Sequence, residues 1–403
     1  MIEAPQRAAP PRHLLLLLAS LSSLVVFTTD IYLPVLPQLG ADLGTSDAAA
    51  AATLSATLLG IALAQIAIGP LSDAVGRRRP VLVGLVAYAV MHVLCAAAPS
   101  IGALLALRFL SGIATAAVIV VSRAVVADAY PGAQAARAYA TLGAVFGIVP
   151  VLAPLAGGVL AHVMSWRGMF LLLAGLALVL LAVTWRALPE TLPAERRTPP
   201  HLGAVLKDLG EVFVHRRFLA YVAVMSAVGG LLFAYIGASS FVLQDQFGLS
   251  PQAYSYVFAV NSIGLFALSV TTRQVVVRVG APRLLTVGQI GTLLGAAALV
   301  VGVGRSSLPA VLLGLFVAVA SLGLVMPNGT ALGMREAEGR AGAASGVLGI
   351  CQFTVGAIAS PLAGLGGSPW SIVVVILVSA VAGVVLRVLL LLPDSHAVPG
   401  GTA

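Results

Sequence analysis

The sequence predicts an all-α integral membrane protein, with twelve transmembrane helices arranged as two six-helix pseudo-repeats. Three observations carry that expectation. The composition is too apolar for water, the chain divides into twelve apolar spans, and its basic residues fall almost entirely on one side of those spans.

Of the 403 residues, 60% are apolar and 9% charged, against about 25% charged in an ordinary soluble domain. The 22 Lys and Arg and 14 Asp and Glu cannot solvate a globule of this length, and the mean hydropathy is +1.06. A water-soluble globule is excluded. The net charge of +8 raises nucleic-acid binding as an option. However, the basic residues sit in short segments between apolar runs, with no basic stripe and interleaved aromatics, so that option falls. Cys95 and Cys351 lie in apolar runs far apart, which argues against a disulfide framework or a metal cluster. Arg12 followed by Leu14 to Leu18 imitates a signal peptide. The apolar stretch nevertheless continues past Phe27 to Leu33 without a small-residue cleavage site, so a retained first span is expected.

With Gly, Pro and charge clusters as punctuation, spans fall near 13–33, 50–70, 80–98, 101–122, 140–161, 168–187, 218–241, 252–272, 284–303, 308–328, 342–364 and 370–391. If the N-terminus is inside, nineteen Lys and Arg lie in inner segments, only Arg167 and Arg305 in outer ones, and Arg108 within a span. Basic residues accumulate in cytoplasmic loops. Both termini are therefore expected in the cytoplasm, with the chain in the inner or plasma membrane.

The longest hydrophilic stretch divides the chain into an N-terminal bundle, 1–187, a cytoplasmic linker, 188–217, and a C-terminal bundle, 218–403. In the linker, Leu202, Val205, Leu206, Leu209, Val212 and Phe213 recur at helical spacing opposite Lys207, Asp208 and Glu211. That pattern fits a helix lying on the inner membrane face or a solvated amphipathic connector. The halves also echo one another. Gly44 and Gly248 are 204 residues apart, as are Gly76 and Gly280, and Pro154 to Gly157 recurs as Pro361 to Gly364 at an offset of 207. Three matches at nearly one offset favour a parallel duplication of the kind found in secondary transporters.

Ionisable groups inside hydrocarbon are costly and so are functional candidates by default. Asp30 is the only acid well within a span and Arg108 the only base, while Asp73 and Asp128 stand at span ends. At about 1.5 Å per residue, Asp30 is expected roughly 5–10 Å, and Arg108 roughly 10 Å, below the outer surface. The two are read either as a permanent ion pair that fixes packing or as a proton-coupling pair. In the second reading Asp30 takes a proton from outside, and Arg108 alternately pairs with it and releases it. Tyr32, Gln65, Tyr235, Asn261, Asn328 and Gln352 are candidates to line a substrate cavity, though inter-helix hydrogen bonding explains such residues equally well. No catalytic constellation is present. There is no HExxH, and no phosphate-cradling loop surrounds Lys207, the only lysine. The chain is expected to be no enzyme and to need neither cofactor nor metal.

The run Gly69-Pro70-Leu71-Ser72-Asp73-Ala74-Val75-Gly76-Arg77-Arg78-Arg79-Pro80, between spans two and three, resembles the loop signature of the major facilitator superfamily. Locally, Gly69 is expected to permit close helix approach, Gly76 a tight turn, and Asp73 a bond to backbone N–H groups or to Arg77. The resemblance implies that Gly69, Asp73, Gly76 and Arg77 gate the transporter by gripping the other half in one end state. Ala74 stands where the family often has a basic residue. Leu107 to Gly112 resembles the second signature, whose arginine, here Arg108, is tied to proton transfer, with Ser111 where Gln is common. Span five, with Gly143, Gly147, Pro150, Pro154, Gly157 and Gly158, resembles the antiporter signature, although Ile148 and Val149 interrupt its Gly-Pro step. Asp30-Ile31-Tyr32-Leu33-Pro34, Gln65, Trp166-Arg167 and Pro189-Glu190-Thr191-Leu192 are similar to the bicyclomycin and chloramphenicol resistance (Bcr/CflA) subfamily of drug and proton antiporters. The resemblance implies export of a small amphipathic or apolar drug against protons, by alternating access in a functional monomer. The alternative is a symporter or uniporter for a physiological metabolite.

Overall fold

The computed structural model describes residues 12–130, 133–197, 203, 215–336 and 341–391, and the described residues contain helices but no strand. Twelve long helices succeed one another: α1 (Arg12–Asp30), α2 (Asp47–Val75), α3 (Arg78–Ala96), α4 (Ile101–Ala129), α5 (Ala133–Leu160), α6 (Trp166–Ala187), α7 (Arg216–Phe241), α8 (Pro251–Val279), α9 (Ala281–Gly304), α10 (Leu308–Glu336), α11 (Ala341–Ala363) and α12 (Pro369–Leu391). Among the described residues, eleven helical segments are long and apolar enough to cross a membrane, and α5 adds the shorter apolar stretch Ile148–Leu160. The interfacial helix expected over 202–213 lies outside the described residues apart from Gly203.

Local chemistry sets the helix ends. Ser46, Ser100 and Ser250 cap α2, α4 and α8, each hydroxyl accepting from a backbone N–H three residues on, at 3.1–3.3 Å. Gly76 at φ 93° and Gly280 at φ 87° end α2 and α8 in left-handed conformations that suit glycine. Caps and stops thus recur at the same offset in both halves, and α2 and α8 are each 29 residues long.

The first span departs from its expected bounds. Helix α1 stops at Asp30, but a 3-10 turn, Leu33–Val35, and a seven-residue helix, Leu36–Asp42, carry the chain onward. The apolar span runs from His13 to Asp42. Pro34 and Pro37 bend the path without ending it, because short-range bonds such as Val35 N–H to the Tyr32 carbonyl (3.1 Å) satisfy the backbone. Asp30 therefore lies twelve residues below the end of its span, a rise on the order of 15 Å. That is deeper than the 5–10 Å expected.

Helices α1 to α6 enclose one apolar core, and α7 to α12 enclose a second, into which Leu33, Leu54 and Leu58 of the first half insert. The halves meet through α2 against α11 and α5 against α8. Among the described residues, the bonds joining the halves cluster toward the end that carries the serine caps. Ser240 donates to the Leu33 carbonyl at 2.8 Å, Gln244 to the Pro34 carbonyl at 3.1 Å, and Ser360 to the Ala51 carbonyl at 3.2 Å. Toward the other end burial fades. Beyond Ala64 only Ser72 of α2 is buried, and beyond Gly264 only Thr272 of α8. The molecule is closed at the capped end and parted at the end bearing Gly76 and Gly280.

Within the first half, α2 crosses α4 at paired glycines. A Cβ on Gly112 would strike the Thr57 carbonyl and approach the Gly60 Cα to 3.1 Å, whereas one on Gly102 of the same helix meets nothing within 4 Å. Gly112→Ala is therefore expected to lower the melting temperature in detergent through overpacking of about 1–3 kcal/mol. Gly102→Ala should leave it unchanged or slightly raised. Equal melting of the two variants would contradict this crossing.

Candidate functional site

Arg108 of α4 is wholly buried in the first half. Its Nη2 donates to the Thr28 carbonyl at 3.0 Å and to the Tyr32 hydroxyl at 3.3 Å. The guanidinium carbon lies 4.8 Å from the Tyr32 ring centre and 5.4 Å from that of Phe170. Carbonyl and aromatic faces are weak substitutes for a carboxylate, but together they offset part of the cost of desolvating the cation. The Thr28 hydroxyl bonds Tyr88, and His92 stacks on Tyr88 at 3.9 Å with Nδ1 2.9 Å from the Tyr88 carbonyl. Nε and Nη1 of Arg108 and Nε2 of His92 are buried without a hydrogen-bond partner. Sequence reasoning passed over His92, although an ionisable ring inside an apolar span was itself the signal.

Asp30 lies on the opposite face of α1. Two residues along a helix turn about 200°, so the face that presents Thr28 and Tyr32 to Arg108 turns Asp30 toward the second half. It is only 4% exposed, the sole buried carboxylate among the described residues, and no ion pair joins it to Arg108. Its electrostatic neighbours include Tyr235 and Tyr254 of the second half. There Tyr235 stacks on Phe258 at 5.2 Å and accepts a bond from Asn261 at 3.0 Å. Asp30 and Arg108 thus share a level of α1 but are separated by the helix itself.

At the parted end, the turn after α2 builds a second polar centre. Arg77 places Nη1 2.6 Å from Asp73 and Nε 2.8 Å from Asp128 of α4, and Nη1 also donates to the Ser72 hydroxyl. Glu190, just past α6, accepts from the backbone N–H of Arg77 (2.8 Å), Arg78 (3.3 Å) and Leu192 (3.0 Å). A Cβ on Gly76 would collide with the Glu190 carboxylate, so Gly76 is required by both its φ and its neighbour. Asp128 and Glu190 complete the loop centre, and sequence reasoning did not assign them to it. Their partner lies more than fifty residues away in each case, which spacing alone does not reveal. Among the described residues this centre bonds within its own half. The close helix approach expected at Gly69 is absent, since a Cβ there meets nothing within 4 Å. The physical reason is that α2 has left its neighbour across the halves by that point.

The remaining sites divide. In α5, Gly157 abuts the Ile31 carbonyl and Pro34, Gly158 abuts Ser255 of α8, and the Pro150 carbonyl accepts from Ser262 at 3.4 Å. Pro154 lies inside the same helix, and the side-chain surroundings of Gly143 and Gly147 lie outside the described residues. Of the cavity candidates, Tyr32 is locked in the first core against Arg108 and Thr53, and Tyr235 and Asn261 bond each other. Asn328 donates to the Leu324 carbonyl of its own helix at 2.7 Å. Gln65 and Gln352 are half-buried on α2 and α11, the pair that meets across the halves.

Burial would raise the Glu190 carboxyl, but the three backbone N–H groups outweigh it and hold the acid below its ordinary value of 4.5. A depressed acid adds stability above its unfolded value and loses it as pH falls through the folded one. Detergent melting of the purified protein is therefore expected to drop as pH falls below about 4.5, and Glu190→Gln should flatten that dependence. An unchanged slope would remove Glu190 from the loop centre.

Comparison with known proteins agrees with this architecture. The family profile described as Major Facilitator Superfamily matches residues 18–361. The chain is 32% identical over 354 residues to the uncharacterized MFS-type transporter YdgK of Bacillus subtilis, covering 87% of this chain and 88% of that one. It is 28% identical to a bicyclomycin resistance protein homolog of Haemophilus influenzae, covering 86% and 88%. Among solved structures, a partially occluded inward-open form of the xylose transporter XylE from E. coli superposes with TM-score 0.71 at 14% identity, covering 97% of this chain and 99% of the other. With its membrane-spanning helices, its two bundles and the loop centre after α2, the chain belongs to the major facilitator superfamily and is a multi-pass membrane transporter.

Proposed function

We propose that this transporter exports small, largely apolar drugs in exchange for protons, working as a monomer by alternating access. The observation that carries the proposal is Asp30, among the described residues the one buried carboxylate, at a break in α1, turned toward the second half and in no ion pair with them. The drug-resistance relatives support the choice of cargo, and the basic residues support a cytoplasmic position for both termini and for the parted end. An ionised carboxylate buried without a counter-ion is costly, so Asp30 reaches the conformation described here carrying its proton from outside. Drug enters between the parted halves as the proton leaves to the cytoplasm. The ionised Asp30 then seeks compensation, and turning α1 about its own axis brings it to Arg108. That turn breaks the bonds from Arg108 to Thr28 and Tyr32. It also loosens the closed end, because Leu33 and Pro34 are latched to Ser240 and Gln244. Each proton supplies about 2.3 kcal/mol per 100 mV and about 1.4 kcal/mol per pH unit, enough to drive a drug uphill by more than tenfold. The open space at Gly69 fits the same cycle, since closure of the cytoplasmic end brings another helix onto it.

In everted vesicles holding an acid interior, addition of bicyclomycin or another exported drug is expected to dissipate the proton gradient. Asp30→Asn should abolish both this signal and uphill export while membrane insertion is retained. Uphill export by the Asn variant would sink the assignment. Gly69→Leu should leave detergent melting unchanged and stop turnover, and normal transport by that variant would remove Gly69 from the gate.

A further inference from the structure

On the outer flank of the second half, α9 and α12 form a groove of about 350 Å³, lined by Thr286, Gln289, Ile290, Leu293, Arg387 and Val388 among others. Its apolar rim is open, with Ile290 and Val388 each 52% exposed, as expected of a surface facing acyl chains. The groove lies near the start of α9 and the end of α12. Both ends lie on the parted side, within about two helical turns of the span boundary, which is headgroup depth.

One charge stands inside it. The Nη1 of half-buried Arg387 donates to the Thr286 hydroxyl at 3.1 Å and to the Gln289 amide oxygen at 2.6 Å, and Gln289 donates in turn to the Gly383 carbonyl at 2.9 Å. These bonds hold the guanidinium in the groove and occupy only one of its nitrogens. No described carboxylate pairs with it. The charges near its inner neighbour Tyr221 are Arg217, Arg335 and Glu336, and Glu336 is exposed at the end of α10. From the α12 side, Arg216 donates to the Leu389 carbonyl. Among the described residues Arg387, Arg217 and Arg335 outnumber Glu336 here, so the field they make is positive.

We propose that this groove binds the headgroup of an anionic phospholipid. Its phosphodiester is held by the free edge of Arg387 and its chains lie along Ile290, Leu293 and Val388. A guanidinium fork matches phosphate geometry, and basic pockets between transmembrane helices suit anionic headgroups. The lipid staples α9 to α12 on the flank of the bundle away from the other half.

The test uses the full-length protein, purified in detergent and offered phosphatidylglycerol, phosphatidylcholine or inorganic phosphate, with retained lipid counted by native mass spectrometry. Wild type is expected to retain phosphatidylglycerol about tenfold over phosphatidylcholine, with Arg387→Gln losing that preference and Arg387→Lys keeping part of it. Ile290→Trp, which fills the groove and spares the charge, should also lose the lipid, and it decides the matter if the Gln variant does not fold. The proposal is overturned if the Gln or Trp variant retains phosphatidylglycerol as wild type does, or if inorganic phosphate displaces the lipid.

Discussion

The bond from Arg108 to the Thr28 carbonyl and the Tyr32 hydroxyl is the constraint on which the rest of the molecule depends. It fixes a cation in hydrocarbon by tying it to the very turn at which α1 breaks. Because the break is held there, Asp30 is its last helical residue, and the chain beyond it is bent by two prolines. The bend exposes the Leu33 and Pro34 carbonyls, which cannot remain unbonded away from water. Ser240 and Gln244 of the other half satisfy them. One buried guanidinium therefore positions the candidate proton carrier and also the acceptors that close one end of the transporter.

The first half thus holds two polar centres, one at each end of its helices, and they differ in kind. At the closed end, neutral hydroxyl and amide donors from the second half reach carbonyls of the first. At the parted end, Arg77, Asp73, Asp128 and Glu190 bond among themselves. Charged groups near water are cheap to expose, whereas the drier closed end is held by neutral donors and acceptors that bury no charge and stay satisfied by bonding one another. Each end thus has the chemistry suited to its surroundings.

Much of this was legible in the sequence, and the exceptions have physical causes. Composition and charge distribution reveal the membrane and the number of spans, because lipid imposes one length scale on every helix. The spacing from Gly76 to Gly280 anticipates two matching left-handed turns, because only the backbone conformation demands glycine there. Asp30 and Arg108 stand out as rare charges, but their relation does not follow from depth alone. Whether two helical residues meet depends on the rotation of each helix about its own axis, and no span boundary encodes that. The kink after Asp30 hid in the same way, since Pro34 reads as the end of a span when tertiary bonds in fact carry the chain past it. Asp128 and Glu190 stayed unassigned because their partner is distant in the chain, and the close approach expected at Gly69 is missing here because nothing stands within 4 Å of where its Cβ would lie.

Among the described residues the buried carboxylate, arginine and histidine side chains, Asp30, Arg77, His92 and Arg108, all belong to the first half. In the second half, for all its matching caps and turns, the buried polar side chains among the described residues are amides and hydroxyls. The likeness of the halves is therefore one of caps and turns and does not extend to charge: among the described residues the charges buried in the protein sit in one half alone. A bundle whose interior holds no charge tolerates volume-conserving exchange of side chains more readily than one whose buried ions each need a partner, so the second half is the one that substitution can reshape at lower cost.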